Sequence, residues 1–505
     1  MAQKTFDQKT SDFFSWFKAQ PGTNFHDDIE IRDLRLDRGA GRGIVAKADI
    51  SPDTVLFTIP RQSIICTNTS SLATKIPALF SPPEEEQDAA DHDMDGDEGG
   101  EGEDDSDDDT AQDSWTSLIL VLIYEYLQGD KSPWKPYLEV LPTISDFSTP
   151  MFWAADELAE LQASPVASKV GRDEADKMMR TKILPAIRAH HPIFFPAGSP
   201  QLSDDQLVQL AFRMGSVIMA YAFDLEKEED DEEKNQASDG EEEDEWVEDR
   251  EGKTMLGMVP MADILNADAA FNAHIEHGEL ALTATSLRPI AEGEEILNYY
   301  GPLSNGELLR RYGYTTPVHR RWNLVDLAWE PVVAALRAEL PLPAKEWDRA
   351  IGSLDEDELE EGFVIERGAD DPDSEGRVGE VERKAGAPEE LVEQLKAVLK
   401  AVKKVKPEAV PDKAARDRVI YSTIARALEE RTGQYSTTLE QDLQKYEAGG
   451  DEPGHKSVRQ RMALDVRIGE KVLLRQAAES VKAKLAELVK AESDSEKPSA
   501  KRRRV

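Results

Sequence analysis

Apolar positions along this chain change period several times, and the changes divide it into segments. Phe13, Phe14 and Phe17 share one helical face near the start, with Ser11 placed to cap that helix. Ile29–Leu36, Gly43–Ala46 and Val55–Ile59 are short apolar runs between turn residues and predict strands. Trp115–Leu127 is apolar nearly all round, the pattern of a buried helix. Ser132-Pro-Trp-Lys-Pro-Tyr137 follows it as a stiff aromatic loop. Ser203-Asp-Asp-Gln206 has the form of a capping box, and the helix it opens carries Leu207, Leu210, Met214, Val217, Ile218 and Tyr221 on one face. Leu256–Tyr300 returns to strands and turns, with Ala281–Ala284 and Glu295–Asn298 as strands. Beyond Trp322 the period is helical, broken by a glycine-rich loop at Gly368–Gly386 and again at Pro407 and Pro411. Val419–Arg431 and Ser457–Lys490 then carry long apolar stripes, the second through Val458, Met462, Val466, Leu473, Ala477, Val481 and Leu485.

A chain of 505 residues has length for more than one core. Its net charge of −41 is concentrated in two runs. Glu84–Asp113 holds 17 acids and no Lys or Arg, and Glu226–Glu251 holds 16 acids against 3 bases. Such runs repel themselves and bury nothing, so both are expected to be disordered insertions. The single cysteine, Cys66, excludes an intramolecular disulfide framework and any cysteine-rich zinc cluster. The eight histidines form no spaced ligand set; His274 and His277 lie three apart without a third partner, so no metal is expected. The first residues lack the basic-then-apolar layout of a signal peptide, and the longest apolar stretch, Leu118–Tyr124, is too short to span a bilayer. Lys501-Arg-Arg-Arg504 reads either as a nuclear import signal or as a solvated tail.

Candidate chemistry gathers in a few motifs. Gly39-Ala-Gly41-Arg-Gly43 is followed by Ile44-Val-Ala46, which reads as a strand. Phosphate and dinucleotide loops need a helix there, so a glycine turn that lets a ligand approach the backbone remains, beside a plain turn. Met261-Ala-Asp-Ile-Leu-Asn266-Ala267-Asp268 offers one amide side chain able to donate and accept, or one that caps a turn. Glu292-Gly-Glu-Glu leads to Tyr299 and Tyr300, and Arg311 leads to Tyr312, Gly313 and Tyr314. The tyrosines are either core aromatics with satisfied hydroxyls or reactive-site hydroxyls.

Taken in order, these motifs resemble the split core of SET-domain methyltransferases of the Rubisco-methyltransferase type. Asn266 stands 34 residues before Tyr300 and 46 before Tyr312, which fits the family's spacing. Arg461-Met-Ala-Leu-Asp-Val-Arg-Ile-Gly-Glu-Lys471 is similar to a run in the family's substrate-binding domain. The resemblance implies an α+β fold: a β-rich SET core with knot-like C-terminal threading, a helical insert, and a separate all-α C-terminal substrate-binding domain. The expected divisions are an N-terminal helix (1–21), a first SET segment (22–114), the helical insert (115–225), an acidic loop (226–251), a second SET segment (252–320), the helical domain (321–492) and a basic tail (493–505).

The resemblance also implies S-adenosyl-L-methionine as methyl donor and a lysine as acceptor. Gly41, Arg42, Gly43, Asn266, Ala267 and Tyr312 correspond to cofactor-binding positions, Ala267 standing where the family has histidine. Tyr312 would be the main catalytic tyrosine with Tyr300 supporting it, or the reverse. Trp134, Tyr221 and Tyr300 correspond to the lysine channel. The partner implied is a basic protein, a large-subunit ribosomal protein, monomethylated by a monomeric nuclear enzyme, with the cytoplasm as alternative and no nucleic acid or membrane bound. Two other readings compete: a catalytically silent SET fold serving as an acidic chaperone for ribosomal proteins or histones, and a histone-lysine or histidine methyltransferase. In the enzyme readings the chemistry needs a neutral amine. A lysine with pKa near 10.4 is mostly cationic, and a tight aromatic channel lowers that value by desolvation.

Overall fold

The computed structural model describes residues 4–35, 41–80, 106–198, 201–226, 254–354, 359–381, 383–448 and 455–495. Two compact units emerge, each woven from separate stretches of chain. The first comprises Met1–Phe147, Gly171–Gly301 and Pro372–Val378; the second comprises Ser148–Val170, Pro302–Asp371 and Gly379–Val505.

The first unit opens with the helix Phe6–Lys18, which buries Phe13 and Phe17. Its cap is Thr5, whose hydroxyl accepts from the Gln8 amide while the Gln8 side chain accepts from the Thr5 amide. Ser11, expected as the cap, lies inside the helix. The capping box at Thr5 satisfies two backbone donors at once, and Ser11 has no matching partner three residues on.

Among the described residues ten short strands follow in chain order: β1 (Asn24–Phe25), β2 (Ile29–Asp33), β3 (Arg42–Ala46), β4 (Val55–Pro60), β5 (Ala222–Glu226), β6 (Thr254–Met258), β7 (Asn266–Ala267), β8 (Ala273–His277), β9 (Ala281–Ser286) and β10 (Glu295–Asn298). One sheet runs β1-β4-β9-β8 and a second runs β2-β3-β10-β7; β5 and β6 pair as a ribbon. The second sheet positions the site. β3 pairs antiparallel with both β2 and β10, and β7 joins β10 in parallel. Parallel pairing brings Asn266 beside Leu297 and Ala267 beside Asn298.

Helices pack between these strand segments in sequence. The helix Ser106–Gln128 buries Leu118 to Ile123 continuously. It begins well before Trp115, so the last residues of the first acidic run, expected to be disordered as far as Asp113, are helical. The rest of that run and nearly all of the second lie outside the described residues. In the helix Asp204–Tyr221, Ser203 and Gln206 form the reciprocal cap that the sequence announces, and the expected apolar face is buried apart from Tyr221, which is partly exposed.

Among the described residues the second unit is helical apart from one ribbon, β11 (Val325–Ala328) with β12 (Gly362–Ile365), which the sequence does not announce. Its main core packs Trp347, Leu391, Leu395, Ile424, Leu428, Leu473, Ala477 and Val481. These come from the ribbon's neighbours, from Glu389–Val405 and Lys413–Gly433, and from the 41-residue helix His455–Ser495.

Candidate active site

Gly43 is where the second sheet leaves no room for a side chain. A Cβ there would sit 2.3 Å from Leu34 Cδ1, 2.8 Å from Glu295 Oε1 and 3.0 Å from Asn266 Nδ2. Atoms this close would have to move, so glycine is what allows β2, β3, β7 and β10 to converge. A Cβ at Gly41, by contrast, would meet nothing within 4 Å. The glycine turn is thus packed against protein on one side and open on the other. Of the motif's earlier residues, Gly39 and Ala40 lie outside the described residues.

Asn266 closes the group. Its amide nitrogen donates to the Arg42 carbonyl at 3.1 Å and to Glu295 Oε1 at 2.7 Å. A primary amide has two N–H donors, and both are committed to protein. The side chain is therefore not the donor-and-acceptor suggested by its type; what it offers a ligand is its carbonyl oxygen. The strand beside it is held by a residue the sequence reading missed, Asn272. This fully buried side chain donates to the Glu295 carbonyl at 2.8 Å and accepts from the Leu297 amide at 2.8 Å. No local pattern marks Asn272, because its partners lie more than 20 residues on.

Arg42 reaches away from the turn. Its Nε donates to Thr10 Oγ1 at 2.8 Å, an Nη donates to the Val140 carbonyl at 3.0 Å, and the guanidinium lies 4.0 Å from the Phe6 ring centre. Burial, and then the nearby Arg35 charge, bring its pKa down to about 10. Its hydrogen-bond acceptors here are neutral.

A buried carboxylate also sits here. Asp263 accepts from the Tyr137 hydroxyl at 2.6 Å through Oδ2, while Oδ1 is buried without a hydrogen-bond partner. Burial pushes its pKa up to about 7 against the pull of Tyr137, nearby amides and Arg42. Met261, two residues before it, is fully buried at φ +85°, a conformation that side chains other than glycine adopt rarely. Asp263 was visible in the sequence inside the Met261–Asp268 motif, but nothing local distinguishes a buried acid from a solvated one.

The remaining expected residues fall into place unevenly. Tyr300 donates from its hydroxyl to the Leu265 carbonyl at 3.1 Å, so it is held beside the residue preceding Asn266. Tyr299 stacks on Phe271 at 4.8 Å. Tyr221 ends its helix, and burial followed by the Asp263 charge raises its pKa to about 12. Trp134 is buried, with its indole N–H bonded to the Ser63 carbonyl at 2.9 Å, which leaves only ring carbon for any substrate contact. Ala267 sits on β7 and contributes backbone. Tyr312 belongs to the second unit. It ends the helix Asn305–Tyr312, is capped by Gly313 at φ +78°, and has a phenol raised to about 12 by burial. A Cβ on Gly313 would fall 2.9 Å from the Ser148 and Thr149 backbone, so the turn after Tyr312 needs glycine.

Two family models match this chain: the SET domain over residues 41–301 and the Rubisco LSMT substrate-binding domain over residues 387–474. The chain is 31% identical over 352 residues to ribosomal lysine N-methyltransferase 4 of Saccharomyces cerevisiae, covering 69% of this chain and 64% of that protein. It is 30% identical over 285 residues to the N-lysine methyltransferase SETD6 of Bos taurus, covering 55% of this chain and 51% of that protein. The match thus spans between half and two thirds of these relatives. Among solved structures, the SET domain of LSMT bound to lysine and AdoHcy aligns with a TM-score of 0.60 at 18% identity, over 96% of this chain and 94% of that one. Rubisco LSMT bound to AdoMet aligns with a TM-score of 0.57 at 18% identity, over 95% and 93%. At that identity the likeness concerns the fold.

Proposed function

This chain belongs to the SET-domain family, and we propose from that premise that it is an S-adenosylmethionine-dependent protein-lysine N-methyltransferase. The observation that carries the reading is the turn at Gly41 and Gly43, open on one side and locked on the other to Asn266 and Glu295. An open glycine backbone beside an amide whose two N–H donors are already committed, leaving its carbonyl oxygen as acceptor, suits the amino-acid end of the donor, whose ammonium needs oxygen acceptors. The donor, when bound, supplies a methyl group already activated on a sulfonium.

The residues of the chain then have three tasks. Asn266 and the backbone of Gly41–Gly43 orient the donor. Tyr300 is fixed on the Leu265 carbonyl, and Tyr312, its phenol raised to about 12 by burial, keeps its proton at neutral pH. Such groups align a lone pair but do not act as strong bases. Most of the acceleration would come from placement and fixed dipoles. Tyr221, with its raised pKa, is likewise a neutral hydroxyl suited to lining an amine channel.

The finer reading is monomethylation of a lysine in a large-subunit ribosomal protein. It is supported by the name of the yeast relative and by acidic runs that complement a basic partner. The basic C-terminal tetrapeptide supports a nuclear location. Incubation with labelled S-adenosylmethionine and large-subunit ribosomal proteins tests the whole reading. A band labelled on lysine, one methyl per site by mass spectrometry, is expected. Tight binding of those proteins without label would favour the silent chaperone that Ala267 brings to mind.

A further inference from the structure

Asp263 is nine-tenths buried, has one oxygen without a partner, and lies in the short 3-10 turn Ala262–Ile264 that leads into Asn266. Burying a carboxylate is unfavourable unless it is paired and hydrogen-bonded, so one left half-satisfied needs a reason. The groups facing it come from three other elements. Tyr137 donates to it from the Lys135–Leu138 turn, Tyr221 feels its charge from the end of the Asp204–Tyr221 helix, and Arg42 feels it from β3. Asp146 is a further negative charge felt by both Arg42 and Tyr221.

Arg42 is the link to the glycine turn. Its carbonyl accepts from Asn266, while its half-buried guanidinium is hydrogen-bonded to Thr10 and Val140, both neutral acceptors. The charges that favour this cation are Asp33, Asp263 and Asp146. Asp33 is already paired with Arg35 at 2.6 Å. Burial brings the Asp263 carboxyl to about 7, so its charge can change near neutral pH.

We propose that Asp263 is a positioning residue of the donor site: anchored by Tyr137, its carboxylate fixes the Met261–Asn266 segment and supplies negative charge that helps hold the half-buried Arg42 cation, and through it Asn266, in place. This rests on the reading of the glycine turn as a methyl-donor site. Donor affinity is then linked to one proton. Protonating Asp263 removes a negative charge that favours the Arg42 cation, loosens the Arg42–Asn266 bond and weakens donor binding. By linkage, bound donor lowers the proton affinity of Asp263.

The test is a calorimetric titration of full-length protein with S-adenosylmethionine between about pH 6 and pH 8.5, in the wild type, Asp263→Asn and Tyr137→Phe. The wild-type Kd is expected to rise about tenfold as pH falls through the region near 7. Asp263→Asn should lack that dependence; comparing it with the wild type cancels the donor's own titration. Tyr137→Phe removes the hydroxyl that favours the charged carboxylate, so its transition should move to higher pH. A purely structural role would weaken binding equally at every pH and move no midpoint. A flat wild-type profile, or the same profile in Asp263→Asn, overturns the proposal while leaving the donor-site reading intact. No binding by the wild type at any pH overturns both. If Asp263→Asn fails to fold, the midpoint of Tyr137→Phe decides alone: a shift supports the proposal and an unmoved midpoint overturns it.

Discussion

Asp263 in the first unit and Asp442 in the second show what the chain does with internal charge. Asp442 in the second unit is bonded through both oxygens: Thr437 Oγ1 donates at 2.8 Å, Arg467 at 3.0 and 3.2 Å, and Lys471 at 2.6 Å. Burial alone would raise its pKa, but these bonds outweigh burial and hold the carboxyl below its ordinary value. Asp263 in the first unit has one bonded oxygen, a strained neighbour and a raised pKa. One carboxylate is buried with every partner in place and braces the helices. The other is buried incompletely beside the glycine turn, where a ligand is proposed to bind. A fully satisfied network specifies structure, while an unsatisfied one marks a place where stability is given up.

The contrast also explains the Arg461–Lys471 motif. Asp465, Arg467, Glu470 and Lys471 are all buried on the His455–Ser495 helix. Asp465 pairs with Arg320, Arg467 and Lys471 pair with Asp442, and Glu470 accepts from Ser164 at 2.7 Å and Tyr435 at 2.6 Å. Within the second unit the motif is a charge clamp that ties the long helix to its neighbours.

The largest effect should come from breaking the complete network. Asp442→Ala leaves Arg467 and Lys471 buried without their carboxylate and should cost about 3–5 kcal/mol in denaturant unfolding. Because the Asp442 pKa is lowered in the folded state, its contribution is present above the ordinary carboxylate range and disappears on acidification. A loss under about 1 kcal/mol would erase the difference between the two sites.

Next comes Gly43→Ala. The added methyl must displace Leu34, Glu295 or Asn266, costing roughly 1–3 kcal/mol of stability. It should also weaken S-adenosylmethionine binding by about a hundredfold, read by calorimetry. Unchanged affinity would move the donor site elsewhere.

Tyr312→Phe removes only a hydroxyl. Donor affinity should stay within about twofold while kcat for methyl transfer falls on the order of a hundredfold. Full turnover would remove Tyr312 from the mechanism.

The smallest effect has the opposite sign. Asp263 has a raised pKa in the folded state, so its stability penalty develops as pH rises from the ordinary carboxylate value toward about 7 and stays constant above. Asp263→Asn removes that penalty but leaves an amide to satisfy. A net gain of about 1 kcal/mol is expected near pH 8, shrinking toward pH 5, from unfolding curves at both pH values. Destabilisation at pH 8 equal to that at pH 5 would make Asp263 an ordinary structural acid.

Local signals made much of the fold legible. Strands β2, β3, β4, β9 and β10 follow from apolar runs between turn residues, and the Ser203–Gln206 cap follows from four residues. What stayed hidden depends on distant partners. β7 is two residues long and exists through its parallel pairing with β10. The ribbon of β11 and β12 joins residues 34 to 40 apart. The turn at Asp373–Arg377, inside a stretch that reads only as loop, packs so tightly on Phe271 that a Cβ on Gly376 would lie 2.1 Å from its carbonyl oxygen. The candidate site divides the same way. Gly43 and Asn266 were legible as motif members. Asn272, the commitment of both Asn266 N–H donors to protein and the burial of Asp263 were not, because each is set by strands that meet only in the fold.

Equilibrium titration of the purified chain with S-adenosylmethionine bears most directly on the central claim. One saturable site is expected, with affinity lost in Gly43→Ala and kept in Tyr312→Phe. Absence of binding, or binding indifferent to Gly43→Ala, would contradict the assignment of the glycine turn and Asn266 as the place where the donor is held.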